Sequence, residues 1–385
     1  MLIYFIFIIL SASSYLFKPL VNSRGWWITF NILNCLFLCF GYMCGSDWRQ
    51  YEPLYEDIDF DNLFYGYFGE PGYYIYMLLG RIFGLNFWTF FIFTKILCYL
   101  IVSKTLEKIA CHYKYLAWTI FLPQAGFYMF IDNPMRNVIA VGIFLSSIPF
   151  LIKRKKIIYF LCCSLALSFH LTAIITPLLY FLLTKKISSK IYIILIITVF
   201  TIFSSADIFS SLLTRFANIN PFILKKVEWY ILGDDPESTG SIFSLGAFLQ
   251  IIFFFLILKV RKTIEEKQYG SIILNGALLF ILIYRLGLTI SIFSRLQLYL
   301  VVFYVTGICF TLNAFKRNVR IYMSGLFVLY ACLIGYKNII SNGWKYVPYS
   351  NYLTSLFDSN IKSYSERFYY NITHTPYKNT IKDNN

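Results

Sequence analysis

Apolar stretches of roughly membrane-span length recur near 2–17, 26–45, 87–103, 115–131, 135–152, 191–205, 241–258, 271–290, 296–314 and 321–336. Such runs predict helices that cross a hydrocarbon layer about 30 Å thick. One run breaks the pattern. Residues 157–184 contain no Asp, Glu, Lys or Arg and carry His170 at their midpoint. At about 1.5 Å of rise per residue the run is longer than one crossing needs and too short for two full ones. It predicts a hairpin of two short helices turning at His170. The stretch EPGYYIYMLLGRIFG (70–84) is too short to span and holds Arg81 among tyrosines, so it predicts a re-entrant or interfacial helix. The opening MLIYFIFIIL lacks a basic leader and a small-residue cleavage site and reads as a retained span.

Charge then sets an orientation. The loops at 18–24, 104–114, 153–156, 185–190, 259–267 and 316–320 hold 19 of the 34 Lys and Arg residues, and they fall at every second connection. Basic loops collect on the cytoplasmic side. Residues 46–70 hold seven acids against Arg49, and 206–240 hold five acids against three bases. The alternation closes only if 157–184 returns to its own side, which supports the hairpin and leaves both termini extracytoplasmic. The expected fold is therefore an all-α polytopic integral membrane protein of about 10–12 transmembrane helices, with the short-helix hairpin at 157–184. The expected domain division is one transmembrane domain over 1–338, with outer loops 46–86 and 206–240, followed by a polar tail at 339–385.

Composition agrees, with 58% hydrophobic and 14% charged residues excluding an ordinary soluble enzyme. The nine cysteines fall mostly in spans and read as small packing residues. The basic loops are accounted for by topology, so no nucleic-acid partner is expected. No nucleotide-binding loop or metalloprotease helix occurs. The run EDIDFD (56–61) has metal-capable carboxylates but lacks the glycine of a calcium loop, so neither a metal nor a cofactor is expected.

The candidate chemistry lies in a few polar residues. Arg136, in Asn133-Pro134-Met135-Arg136 at the start of a span, either snorkels to headgroups or binds an anion at a helix N-terminus. Arg285 and Arg295 sit at the outer ends of a later pair of spans. Three arginines in apolar sequence would together suit a diphosphate, whose oxygens match the guanidinium fork. His170 is either a core histidine or a functional one, acting as a base or as a phosphate partner. Asp47 and Glu70 are the loop acids nearest membrane segments and are further candidates for the base, with Arg49 beside them. The aromatic residues crowding 48–74 are either an interfacial belt or a sugar-binding surface.

In this order, the features resemble the EpsG family of bacterial polysaccharide polymerases, related in role to Wzy-type O-antigen polymerases. The likeness rests on Asp47-Trp48 and Glu70-Pro71-Gly72-Tyr73, the segment ending at Arg136, Ser168-Phe169-His170-Leu171-Thr172-Ala173, Arg295 with Tyr299, and the closing Tyr346, Pro348 and Tyr349. The resemblance implies a glycosyltransferase of the bacterial cytoplasmic membrane, GT-C-like in fold. It would join oligosaccharide units carried on undecaprenyl diphosphate into O-antigen, capsule or exopolysaccharide at the outer face. Membrane lipids, and a chain-length regulator and flippase of the same pathway, are the implied partners. Arg136, Arg295, Arg285, Arg49 and Tyr299 would contact substrate, and His170, Asp47 or Glu70 would serve as base. A lipid-linked glycan flippase and a membrane O-acyltransferase are the competing classes. The first should show related halves, and the second an early histidine, whereas the first histidine here is His112.

Overall fold

Apolar runs with little backbone solvation must satisfy their peptide groups internally, and the chain does so almost entirely with helices. The computed structural model describes residues 1–59, 70–202, 244–287, 291–358 and 362–377. The main helices are α1 (Leu2–Leu16), α2 (Arg24–Cys39), α3 (Trp48–Asp57), α4 (Pro71–Ile82), α5 (Phe87–Ala110), α6 (Lys114–Phe121), α7 (Met135–Ile152) and α8 (Lys156–Phe169). They continue with α9 (Thr176–Thr184), α10 (Ser189–Ile202), α11 (Leu245–Lys259), α12 (Gly270–Gly287), α13 (Ser291–Gln297), α14 (Val301–Thr311), α15 (Arg317–Ser341) and α16 (Tyr364–His374). Strands among the described residues are limited to β1 (Gly41–Tyr42) and β2 (Ser350–Asn351), paired antiparallel with Gly41 opposite Asn351. The protein is an all-α polytopic membrane protein.

Among the described residues, four helical stretches are long and apolar enough to cross a membrane: Phe87–Gly126, Met135–Ile152, Gly270–Gly287 and Arg317–Ser341. Shorter apolar helices cover Leu2–Leu16, Lys156–Phe169, Leu171–Thr184, Ser189–Thr201, Leu245–Lys259 and Val301–Ala314. Nine of the ten sequence runs fall on these helices, and the run near 26–45 forms α2, 16 residues long and below the roughly 30 Å reach. Within the first stretch α5 stops at Cys111, whose φ of 52° breaks the helix before a 3-10 turn leads into α6. Residues 60–69 of the outer loop expected at 46–86, including Asp61 of the acidic run and the aromatics Phe60, Phe64, Tyr65, Tyr67 and Phe68, and all of the loop expected at 206–240 lie outside the described residues.

The chain forms two compact units, Met1–Ile174 with Arg317–Asn385, and Ile175–Lys316. In the first unit α6 packs between α1 and α15. Tyr4 on α1 donates to the Tyr346 carbonyl at 2.7 Å, and its ring meets Phe37 and Phe127 edge-on. Residues 343–358 and 362–377 fold onto this unit: Tyr349 donates to the Phe37 carbonyl at 2.7 Å, and β2 pairs with β1. In the second unit Asn275 on α12 is fully buried. It donates to the carbonyls of Leu182, Leu183 and Lys185 at 2.8, 3.1 and 2.7 Å and accepts from Tyr192 at 2.7 Å. One amide therefore caps the end of α9 and ties α10 to α12.

The apolar run at 157–184 breaks at the expected place. Helix α8 ends at Phe169, His170 is extended at φ −157° and ψ 133°, and a 3-10 turn over Leu171–Ile175 precedes α9. The short helix α4 packs on α8 through Gly72. A Cβ there would stand 2.3 Å from Ser168 Oγ and 3.1 Å from its Cβ and carbonyl carbon. Gly72→Ala should therefore lower the thermal midpoint of the purified protein by an amount equivalent to about 1–3 kcal/mol, the usual cost of overpacking. Adding Ser168→Ala should recover part of the loss. A Gly72→Ala protein that melts with the wild type would show that the helices do not meet as closely as described.

Candidate functional site

Helix α4 begins with Pro71 at its first position, which fixes φ where a missing N–H costs nothing. That start holds Glu70 just outside the helix, beside the break between α8 and the following turn. Its Oε1 lies 2.6 Å from His170 Nδ1 and accepts the Leu171 N–H at 3.1 Å. Its Oε2 accepts from Arg136 Nη1 at 2.7 Å. One carboxylate thus joins three segments that are far apart in sequence. The site is mostly enclosed, with side-chain exposures of 12% for Glu70, 11% for His170 and 33% for Arg136.

Arg136 stands in the first turn of α7, after Asn133 in the left-handed region (φ 57°) and Pro134. Tyr51 holds its other side: Arg136 Nε donates to the Tyr51 hydroxyl at 3.2 Å, and that hydroxyl donates to Asp47 Oδ2 at 3.3 Å. Burial raises the Tyr51 pKa, and the nearby Asp47 charge adds to the shift, so the phenol keeps the proton it donates. Asp47 also accepts from the Ser46 hydroxyl at 3.1 Å. Ser46 reaches Asp132 as well, through its hydroxyl at 2.8 Å and its N–H at 2.9 Å, and Lys345 donates to Asp132 at 3.0 Å. The result is a polar chain from Lys345 to His170.

The charge state of Glu70 follows from opposing causes. Burial pushes its carboxyl up, but the His170 hydrogen bond, the His170 and Arg136 charges and the Leu171 N–H outweigh burial. The net effect holds it below the usual 4.5. With an ionised carboxylate 2.6 Å from Nδ1, that ring nitrogen carries the proton. In the neutral ring Nε2 holds the lone pair, and this nitrogen is buried with no hydrogen-bond partner among the described residues.

Of the residues picked from sequence, Glu70, Arg136 and His170 meet directly, and Asp47 joins them through Tyr51. Arg49 lies on α3 outside this chain, beneath Trp344 and Phe368. Arg285, Arg295 and Tyr299 belong to the second unit: Arg285 and Tyr299 are buried, and Arg295 is half-buried on α13. Sequence reading missed Tyr51, Ser46, Asp132 and Lys345. Tyr51 had a usable signal, four residues after Asp47 on one helix. Lys345 had none.

A family model described as the EpsG family matches residues 24–351, so the chain belongs to the EpsG family, a family of polysaccharide polymerases. No curated protein matches the chain, and no solved structure does.

The depressed carboxyl of Glu70 has a consequence for acid stability. Between its folded and unfolded pKa values the unfolded chain binds more protons. Its stabilising contribution is therefore complete above about 4.5 and is lost as pH falls through the lower folded value. Thermal midpoints measured down an acid series should drop less steeply for Glu70→Gln than for the wild type. Superimposable acid limbs would remove Glu70 from the ion-pair network.

Proposed function

We propose that this polymerase joins oligosaccharide units carried on undecaprenyl diphosphate at the outer face of the bacterial cytoplasmic membrane, with the Glu70 cluster as its reaction centre. The observation that carries the reading is a buried carboxylate shared between an imidazole and a guanidinium. Such a triad offers a base and an anion partner side by side.

In the proposed reaction, a hydroxyl of the acceptor glycan attacks the anomeric carbon of the donor. The new C–O bond forms as the bond to the lipid diphosphate breaks, and the diphosphate leaves with the electron pair. The hydroxyl proton passes to His170 Nε2. Glu70 fixes the ring through Nδ1–H and offsets the positive charge that appears on it. Glu70 is thus a positioning group, since its own basicity is lowered by three donors. Arg136 commits only Nη1 and Nε among the described residues, which leaves Nη2 for a phosphate oxygen. Charge stabilisation on the leaving diphosphate is the largest expected electrostatic gain. The parts proposed for Arg285 and Arg295 in diphosphate binding, and for Tyr299 in substrate contact, rest on sequence alone. So do the flippase and chain-length regulator partners.

The test is complementation of a polymerase-deficient strain, with glycan length read on a gel. His170→Ala should cut polymerisation about 100-fold or more, the ordinary contribution of a general base. Arg136→Ala should also collapse the ladder to single repeat units, with both proteins present in the membrane. Full ladders from both variants would refute the site. Loss of all surface glycan, with no single units left on the acceptor, would favour a flippase instead.

A further inference from the structure

The region around α3 pairs nearly every charge it buries. Glu52 accepts from Arg367 at 2.6 Å and from Trp88 Nε1 at 3.1 Å, so both its oxygens are occupied. Asp132 is held by Lys345 and Ser46. Arg49 is the exception. It is 7% exposed, yet its guanidinium makes no hydrogen bond or ion pair among the described residues. Glu52, three residues along the same helix, is taken instead by an arginine 315 residues away.

The orphaned atoms are Nε and Nη2. These lie on one edge of the guanidinium, the edge whose parallel N–H groups meet two oxygens of a carboxylate or phosphate side-on. The faces of the group are covered by rings: Trp344 at 4.5 Å, Phe368 at 4.8 Å and Trp48 at 5.9 Å. Such contacts stabilise a cation but satisfy none of its N–H donors. Trp48 is fully buried, whereas Trp344 and Phe368 are half-buried, so the cover on the C-terminal side is made of rings that themselves reach solvent. Burial also pulls the guanidinium pKa down to about 10, which leaves it charged at neutral pH.

We infer that Arg49 is a second anion site, distinct from the Glu70 cluster, which takes a two-oxygen anion side-on between Trp344 and Phe368. The anion is either the carboxylate of an acidic sugar or a phosphate. Both share the oxygen pair that the fork fits, and an acidic sugar adds a CH face for the flanking rings. Assigning the anion to the glycan substrate rests on the proposed polymerisation. The fork itself does not.

Thermal unfolding of the full-length protein in detergent tests this through binding alone, so a failed polymerase reading leaves it untouched. The probes are sodium glucuronate, inorganic phosphate and neutral glucose. Glucuronate, phosphate or both should raise the wild-type midpoint saturably, and glucose should not. A glucuronate-only effect identifies an acidic sugar, and a phosphate effect a phosphorylated group. Arg49→Met should melt at or above the wild-type midpoint without ligand, because it removes an unpaired buried charge, and should lose the anion shift. Arg49→Lys keeps the charge without the fork and should bind at least about tenfold more weakly. Arg136→Ala should retain the shift. The inference is overturned if no anion moves the midpoint, if Arg49→Met responds as the wild type does, or if the shift disappears only in Arg136→Ala. An Arg49→Met protein that melts well below the wild type would also overturn it, by making Arg49 a structural brace.

Discussion

A carboxylate taken out of water must find partners or give up its charge, and the first unit is arranged around the partners of Glu70. The interruption at His170 makes sense in these terms: an extended residue between two helical segments frees the Leu171 N–H and aims the imidazole at the same oxygen. Gly72 belongs to the same constraint, because a side chain there would push α4 off α8 and carry Glu70 away from the ring. So does the placing of Arg136 in the first turn of α7, where a guanidinium reaches sideways while the helix enters its apolar course.

The other charges of this region show how a membrane protein distributes polarity. Glu52 with Arg367 and Asp132 with Lys345 are pairs that span 315 and 213 residues of sequence. Each gives an acid an ion-pair partner from a distant part of the chain. Glu70 keeps a nearer partner in Arg136 and so retains an ion pair that a competing anion can share. Arg49 is left over from this sorting, and rings surround it in place of oxygens. Neutralised pairs brace the unit, and the incompletely neutralised groups are those with chemistry left to offer.

Much of this was legible in the sequence. Helix positions follow from apolar runs, and Met135–Ile152 coincides with the run from 135 to 152 because Asn133-Pro134 marks its start and the basic cluster at 153–156 its end. The break at His170 was readable from the mismatch between run length and bilayer thickness. The meeting of Glu70, Arg136 and His170 was only partly so. Their residue types advertised chemistry, but the contact depends on a glycine and a proline that set how α4 approaches. Tyr51 was obscured by the aromatic crowd around it, and nothing in the local sequence of Lys345 or Arg367 announces a partner more than 200 residues away. Hydropathy also marks apolar character without marking length: several runs became helices of fewer than eighteen residues.

The fastening of the C-terminal segment has a consequence for how the protein is made. Asp132 leaves the ribosome 213 residues before Lys345, and Glu52 leaves it 315 residues before Arg367. Through most of synthesis the first unit therefore holds two acids without their eventual cations. Tyr346, Tyr349 and Asn351, which receive or bridge groups from α1, α2 and β1, also arrive late. The early helices can insert one after another, but the polar face they build stays open until the last stretch of chain closes over it. Electrostatic closure of that face therefore has to wait until Lys345 and Arg367 have been made.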